Sequence, residues 1–335
     1  MRRAFFIVGP TATGKSELAA DVAHDLGAEI VSADAFQIYR GLDLLTAKPD
    51  ASILAKAPHR LIASIPLTEE MNTEKYRCAA SRAIDEINSR GRLAIVVGGS
   101  GLYIKALTHG LAPLPEADPK LREKLNALNL DELRTQVAEL DPESARKIDP
   151  KNRRRLVRAL EICLLTGEPA SPQRRRWSHQ AANARSGGLQ SAAGALWRSP
   201  LLEGTQPGMS ASRGIFVFRD REELYARINQ RVEAIFENGV IEEVRAAGPT
   251  SVTASQMIGL RDIRELLGGK MSLLQCIAQI QQSTRRYAKR QLTWFRRQTN
   301  FSPLNLSLLT HNEARILLRA HLERQRISGF ASRDD

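Results

Sequence analysis

Residues 9 to 16 read GPTATGKS, and this stretch decides how the rest of the chain is interpreted. It fits the phosphate-binding pattern of Gly, four residues, Gly, Lys, and Ser or Thr, and it lies between an apolar run at 4–8 and a helical pattern from Glu17. A glycine-rich turn before a helix points several backbone N–H groups at one anion, and the helix dipole adds partial positive charge. The alternative, a turn without a ligand, is disfavoured because strand, loop and helix are in register. The sequence therefore predicts a phosphate site at the end of the first strand.

Two side chains of this loop carry the expected chemistry. Lys15 would bring a full positive charge to the outer phosphates, and Ser16 offers a hydroxyl to a phosphate-bound magnesium ion. The motif leaves the reaction open, because kinases, hydrolases and transferases all use it. The residues predicted to bind the phosphates are Gly9, Thr11, Ala12, Thr13, Gly14, Lys15 and Ser16.

The composition limits the class of protein. The chain of 335 residues has 49 Lys and Arg against 37 Asp and Glu, a formal charge of +12. This excess fits a nucleic-acid partner, although a basic proteome would produce it too. The three cysteines are isolated, which excludes a disulfide framework and zinc-ligand spacing, and a reducing cytosol fits. No apolar stretch approaches membrane-spanning length, so we expect a cytoplasmic protein.

Two further strand ends carry polar residues. A strand at 29–32 leads to Asp34 and Gln37, and the apolar run 93–97 leads to GGSG at 98–101, which contains Ser100. Because ligands bind beyond the carboxyl ends of strands in open α/β sheets, both segments should approach the phosphate loop. Asp34 as a helix N-cap and GGSG as a plain tight turn remain alternatives.

The second half of the chain is helical and basic. Residues 116–170 show only helical patterns and suggest a helical insertion, in which the apolar spacing fixes Arg153 to Arg158 on one side. Residues 178–213, rich in Ser, Ala and Gly, predict a flexible loop. Residues 283–298 place Arg285 and Lys289 on one helical row, the pattern expected of a phosphate-backbone contact, although an ordinary basic surface helix is the alternative.

With these stretches in hand, the chain resembles the tRNA dimethylallyltransferases, also called tRNA isopentenyltransferases, over most of residues 4–170 and 214–300. Six motifs occur in the family's order. They are GPTATGKS at 9–16, DAFQIYRGLDLLTAKP at 34–49, GGSGLYIKAL at 98–107, NRRRLVRALEICLLTGEP at 152–169, REELYARIN at 221–229 and TRRYAKRQLTWFRR at 284–297.

The resemblance implies an α/β fold, with a P-loop NTPase-like core, a parallel sheet and a helical insertion domain. It implies transfer of a dimethylallyl group from dimethylallyl diphosphate to N6 of adenosine 37 in the tRNA anticodon loop, with Mg²⁺. The expected domains are 1–115 and 214–300 for the core, 116–213 for the insertion and 301–335 for a tail, and the expected state is a monomer. Asp34 matches the family's general base and Ser100 a hydroxyl beside the reacting groups. The residues expected to contact tRNA are Asp34, Ala35, Phe36, Gln37, Arg154, Arg155, Arg158, Arg285 and Lys289.

Two positions depart from the family pattern, and the first of them bears on tRNA contact. The usual Gly-Tyr before the last helices is Gly259-Leu260 here, and Ser100 stands where Thr is usual. The second exchange keeps the hydroxyl. The rival function is a small-molecule P-loop kinase with Asp34 as base, and a non-catalytic RNA-binding protein is disfavoured by the intact Lys15, Ser16 and Asp34. The related adenylate prenyltransferases share the core chemistry, but the two basic segments favour a macromolecular acceptor.

Overall fold

A computed structural model describes residues 4–111, 114–173, 214–298 and 301–328. The predicted flexible loop 178–213 lies outside these ranges. The chain divides into two compact units, one formed by Met1–Thr108 with Ala211–Asp335 and the other by His109–Ser210.

The first unit is built on a parallel sheet of six strands. The strands are β1 (Ala4–Val8), β2 (Glu29–Ala33), β3 (His59–Arg60), β4 (Ala94–Gly98), β5 (Gly214–Phe218) and β6 (Ser302–Asn305). Their order across the sheet is β3-β2-β4-β1-β5-β6, and every pairing between these strands is parallel. Strands β4 and β5 are buried along their whole length, as their continuous apolar sequences predict, and β2 is buried although it contains Glu29 and Ser32. This confirms the α/β fold expected from the sequence.

The helices of this unit are numbered here in chain order. They are α1 (Lys15–Leu26), α2 (Ala51–Lys56), α3 (Thr73–Ser89) and α4 (Gly101–His109), and, after β5, α9 (Arg221–Glu237), α10 (Val240–Ala246), α11 (Leu260–Leu267), α12 (Leu273–Gln298) and α13 (His311–Ser328). Helices α5 to α8 belong to the second unit.

Alternation along the strands divides the core into two layers. In β1, Phe5 and Ile7 face the layer formed with α1 and α13, whereas Phe6 and Val8 face the layer that contains α3 and residues of α9 to α12. Both faces of the sheet are thus covered. The polar loops lie at the carboxyl ends of the strands, and this end of the sheet is called the sheet edge below.

The described part of the segment 301–335, expected as a tail, forms a strand and a helix of the first unit. Residues 302–305 form the edge strand β6, paired in parallel with β5, and α13 packs on α1 through residues such as Leu318 and Leu322. Pro303 explains why no strand was predicted here, because proline is tolerated only on an edge strand.

The second unit consists of helices as far as it is described. They are α5 (Pro119–Ala127), α6 (Leu130–Leu140), α7 (Pro142–Lys147) and α8 (Arg153–Thr166), around a core that includes Leu133, Leu156 and Leu160. Within this unit the fully buried carboxylate of Glu161 accepts hydrogen bonds from the Asp118 amide and the Arg122 guanidinium. The buried charge is therefore paired rather than isolated.

Candidate active site

The register of the central strands brings three loops to one edge of the sheet. Gly98 in β4 pairs with Val8 in β1 and with Ala33 in β2, so the residues that follow these three strands leave the sheet at the same level. The Gly9 N–H donates to the Gly98 carbonyl over 3.2 Å, and the Ser100 N–H donates to the Ala33 carbonyl over 3.2 Å. The phosphate loop, Asp34 and Ser100 are therefore neighbours, as the sequence predicted.

The phosphate loop has the backbone shape that its glycines allow. Gly14 has a φ of 90°, in the left-handed region, and Ala12 adopts a φ of 64°. A Cβ at Gly9 would lie 2.2 Å from the Val217 carbonyl oxygen, so only glycine fits where the loop leaves β1. The Thr13 side chain is buried, and its hydroxyl donates to the Pro10 carbonyl over 3.1 Å. The loop is thus held open above the start of α1.

Lys15 lies inside this loop, and the pKa of its ammonium group is lowered. Its Nζ donates to the Pro10 carbonyl over 3.1 Å. Burial lowers the pKa of Lys15 to about 8; the nearby Asp34 carboxylate opposes this shift, and the Arg231 guanidinium adds to it. Lys15 and Asp34 are therefore close enough to sense each other's charge across the site. Ser16 follows as the second residue of α1 and is partly buried.

Three arginines that were not among the predicted site residues surround the loop. Arg219 Nε donates to the Thr13 carbonyl over 2.8 Å, and Arg227 Nε donates to the Ala12 carbonyl over 2.9 Å. These two guanidiniums hold the outer side of the loop. They come from the end of β5 and from α9.

Arg231 differs from the other two because it faces the interior of the site. Its Nη1 donates to the Thr11 hydroxyl over 2.9 Å. Burial lowers the pKa of its guanidinium, the Asp34 carboxylate raises it and Arg227 lowers it further. Lys15 and Arg231 thus present two cations beside one carboxylate, an arrangement that suits a multiply charged anion.

Asp34 forms the turn that follows β2. Its Oδ1 accepts the N–H groups of Phe36 over 2.9 Å and of Gln37 over 3.3 Å, so Asp34 closes a turn over residues 35–38 and does not cap a helix. The neighbouring Ala35 N–H donates to the Ser100 hydroxyl over 2.9 Å. Asp34 therefore has one oxygen fixed by the backbone in a turn that is itself tied to the Ser100 loop.

The residues after Asp34 continue into a braced loop. Phe36 packs against the apolar layer that contains α3, and Gln37 Nε2 donates to the Ala47 carbonyl over 2.8 Å. The Glu243 carboxylate of α10 accepts the N–H groups of Leu44 and Leu45 over 2.9 and 3.0 Å. A single acidic side chain thus fixes the segment that orients Gln37.

Helix α12 presents a set of polar and aromatic side chains to these loops. Gln291 bridges the phosphate loop and the Ser100 loop, since its Oε1 accepts the Thr11 N–H over 3.0 Å and its Nε2 donates to the Gly99 carbonyl over 2.9 Å. The Tyr287 hydroxyl forms hydrogen bonds with the side chains of Ser100 and Gln291, and burial raises the pKa of this phenol above its usual range.

The predicted tRNA contacts divide into exposed and engaged side chains. On α8, Arg154 and Arg155 are exposed, whereas the Arg158 guanidinium pairs with Glu161 and donates to the Pro115 carbonyl over 2.7 Å. On α12, Lys289 is exposed, whereas Arg285 donates to the Asn229 side chain of α9. Arg158 and Arg285 therefore have structural partners of their own.

Three further findings concern Leu260, metal ligands and membrane spans. Leu260 is 1% exposed and packs in the core, so no side chain reaches the surface from the place of the family's tyrosine. Among the described residues, no group of three or more His, Cys, Asp or Glu side chains could hold a metal ion. No helix in the described ranges is long and apolar enough to cross a membrane.

Comparison with known proteins gives consistent matches. The family model described as IPP transferase matches residues 37–298. The chain is 40% identical to tRNA dimethylallyltransferase 1 of Citrifermentans bemidjiense, over 86% of this chain and 87% of that protein. It is 40% identical to tRNA dimethylallyltransferase of Geobacter sulfurreducens, over 87% and 88% of the two chains.

Solved structures show the same likeness. The full-length tRNA isopentenylpyrophosphate transferase of Bacillus halodurans superposes with a TM-score of 0.65 at 29% identity, covering 98% of this chain and 100% of that one. A eukaryotic dimethylallyltransferase acting on tRNA superposes with a TM-score of 0.66 at 22% identity, over 90% of this chain and 74% of that one, and this likeness supports the fold alone.

Proposed function

Since the chain belongs to the IPP transferase family, we propose that it transfers a dimethylallyl group from dimethylallyl diphosphate to N6 of adenosine 37 in a tRNA anticodon loop. The observation that carries the proposal is the convergence, on one sheet edge, of a phosphate loop containing Lys15 with the Asp34 and Ser100 turns. This arrangement supplies an anion site and a carboxylate side by side.

The phosphate loop is the proposed site of the diphosphate leaving group. The loop lies at the N-terminus of α1. The helix dipole, Lys15 and Arg231 would together offset the negative charge that builds up on the diphosphate as the allylic C–O bond breaks. Arg219 and Arg227 donate to the Thr13 and Ala12 carbonyls and so brace the loop that would bind the diphosphate. Gly9 and Gly14 would act through the backbone shape that they allow.

Magnesium is the proposed cofactor, with Ser16 as its protein ligand. A hydroxyl at the start of α1 and a bound diphosphate together suit Mg²⁺, which keeps several waters and takes few protein ligands. The absence of a three-residue ligand cluster among the described residues agrees with a metal held chiefly by substrate oxygens. When bound, the ion would neutralise charge on the departing diphosphate.

Asp34 is the proposed general base toward the acceptor. An adenine amino group is a poor nucleophile, so a carboxylate in hydrogen-bond reach of N6 would take its proton as the new N–C bond forms. Oδ1 is held by the Phe36 and Gln37 N–H groups, which aims the rest of the carboxylate into the site. Ser100, tied to Ala35, would stand beside the reacting groups, and Gln37 would contact the base that leaves the loop stack.

The exposed basic residues are the proposed contacts to tRNA phosphates. Arg154 and Arg155 on α8 and Lys289 on α12 have the exposure that such contacts need. Arg158 and Arg285 would contribute less directly, since each already holds a partner within its own unit. We further propose that the protein acts as a monomer in the cytoplasm, where its tRNA substrates reside.

A prenylation assay separates this function from the rival kinase. Purified protein is incubated with radiolabelled dimethylallyl diphosphate, Mg²⁺ and total tRNA, and label is counted in acid-precipitated RNA. The proposal predicts incorporation that requires tRNA and is lost with Lys15→Met. ATP turnover without tRNA, together with no label in RNA, would favour a kinase acting on a small hydroxyl compound. Size-exclusion chromatography with light scattering tests the monomer.

A further inference from the structure

We propose that Gln291 is a positioning residue for the transfer reaction, one that fixes the phosphate loop against the loop that carries Ser100. This inference rests on the proposed function. Gln291 comes from the middle of α12 and is 5% exposed. Its side chain reaches two loops that precede it in the chain by 280 and 192 residues.

The carboxamide suits both of its partners, because it offers one acceptor and one donor group. Its Oε1 accepts the Thr11 N–H over 3.0 Å, while its Nε2 donates to the Gly99 carbonyl over 2.9 Å. Glutamate has the same shape but, when ionised, offers only acceptors, so it would face the Gly99 oxygen without a proton between them. Methionine has similar length and provides neither hydrogen bond.

The surrounding space is built for this contact. A Cβ at Gly99 would lie 2.2 Å from Gln291 Nε2 and 2.9 Å from the Gly9 oxygen. A Cβ at Gly101 would lie 2.5 Å from the Trp294 ring, one helical turn further along α12. Tyr287, one turn earlier, reaches Ser100. Three successive turns of the helix thus contact the two glycine-rich loops, and two of these contacts require glycine in the facing loop.

The two hydrogen bonds of Gln291, called the bridge below, change the role inferred for Thr11, which the sequence predicted to bind the phosphates. The Thr11 N–H is directed to Gln291 and its hydroxyl accepts from Arg231, so both polar groups are used within the protein. Thr11 therefore holds the loop in place, and the diphosphate is bound by its neighbours. Because Gln291 acts through the loop, its loss should change the alignment of donor and acceptor more than the affinity for either one.

The test compares Gln291→Met and Gln291→Glu with the unmodified chain. The matched control is Gln282→Met, an exposed glutamine on the same helix. Saturating tRNA and dimethylallyl diphosphate give kcat, while filter binding and calorimetry give the Kd of tRNA and of inorganic diphosphate. We expect Gln291→Met to lower kcat by about 100-fold, the cost of a misaligned reacting pair, while both Kd values change by less than about threefold. Gln282→Met should match the unmodified chain.

Gln291→Glu supplies a readout that a purely structural role would not give. A protonated carboxylic acid can accept from Thr11 and donate to Gly99, so the kcat of this variant relative to the unmodified chain should rise as the pH falls from 8 to 6. A flat ratio over that range would count against the bridge.

Each remaining outcome is decisive. A kcat of Gln291→Met within about threefold of the unmodified chain would overturn the proposal while leaving the proposed function intact. A fall in diphosphate affinity equal to the fall in kcat/KM would make Gln291 a binding residue instead. Loss of the folded state in either variant, seen by circular dichroism, would show a role in stability alone. An unmodified chain without prenyl transfer would refute the proposed function, and this inference with it.

Discussion

The buried ammonium group of Lys15 makes diphosphate binding depend on pH in a predictable way. Burial lowers the pKa of Lys15 from 10.5 to about 8 in the empty site. About nine-tenths of the molecules carry the charge at pH 7 and about one-tenth at pH 9. A diphosphate that requires the charged form should raise this pKa on binding, so its affinity should fall roughly tenfold between pH 7 and pH 9.

The same linkage predicts proton uptake. Binding should take up about 0.1 proton at pH 7 and about 0.9 at pH 9, because the empty site is then mostly deprotonated. Calorimetry of inorganic diphosphate with Mg²⁺, repeated in buffers of different ionisation enthalpy, measures this number directly. Between pH 8 and 10.5 the unfolded chain binds more protons at this lysine than the folded chain, so the free energy of unfolding rises there on account of Lys15. Weaker binding at pH 9 is then not a consequence of unfolding through this group.

Lys15→Arg is the matched control for this experiment. Arginine keeps the charge at every pH used, so the variant reports the titration of diphosphate itself and of other groups. The prediction concerns the difference between the two chains. Equal proton uptake by the unmodified chain and by Lys15→Arg at pH 9 would refute the reasoning, because it would mean that Lys15 remains charged in the empty site.

The other predictions concern the acceptor side and the tRNA contact. Asp34→Asn keeps an oxygen for the turn but removes the base, so single-turnover prenyl transfer should fall by about 100-fold to 10,000-fold with an unchanged tRNA Kd; near-normal transfer would remove the general-base assignment. Arg231→Met should weaken diphosphate binding by about 10-fold to 100-fold, the loss of a charged hydrogen-bond donor, and calorimetry showing equal affinity would exclude a role at the phosphates. Lys289→Gln should reduce the slope of log Kd for tRNA against log salt concentration by the amount expected for the loss of one phosphate contact. Arg285→Gln should lower the melting temperature, because it breaks the hydrogen bond to Asn229, and should leave the salt slope of tRNA binding unchanged. An unchanged melting temperature with a reduced salt slope would show that Arg285 binds phosphate directly.

Local patterns were sufficient to predict the central architecture. The apolar runs before GPTATGKS and Gly99 are too continuous for a half-exposed strand, and parallel pairing places their ends beside the end of the strand that precedes Asp34. The contacts between the phosphate loop, Asp34 and Ser100 follow from that rule alone. The edge strand β6 was missed because Ser-Pro-Leu-Asn is short, contains proline and lacks alternation.

The rest of the site depends on residues whose sequence context points elsewhere. Arg227 and Arg231 lie four residues apart on α9, which brings them to one face, and Arg219 follows a strand that ends at the ligand edge. That spacing is a usable signal for two cations on one helix face, although the buried Leu224, Ile228 and Val232 of the same helix also indicate packing. Gln291 gave no signal, because its two partners are distant in sequence and a lone glutamine in a basic helix suggests a solvated face.

The central claim is that the protein prenylates one adenosine of the tRNA anticodon loop at the site formed by the phosphate loop, Asp34 and Ser100. The most direct measurement is mass spectrometry of nucleosides from a tRNA transcript treated with dimethylallyl diphosphate and the protein, beside the same transcript in which adenosine 37 is replaced by guanosine. We predict one N6-dimethylallyladenosine per molecule of the first transcript and none in the second. Equal modification of both transcripts, or none in either with fully folded protein, would contradict the account.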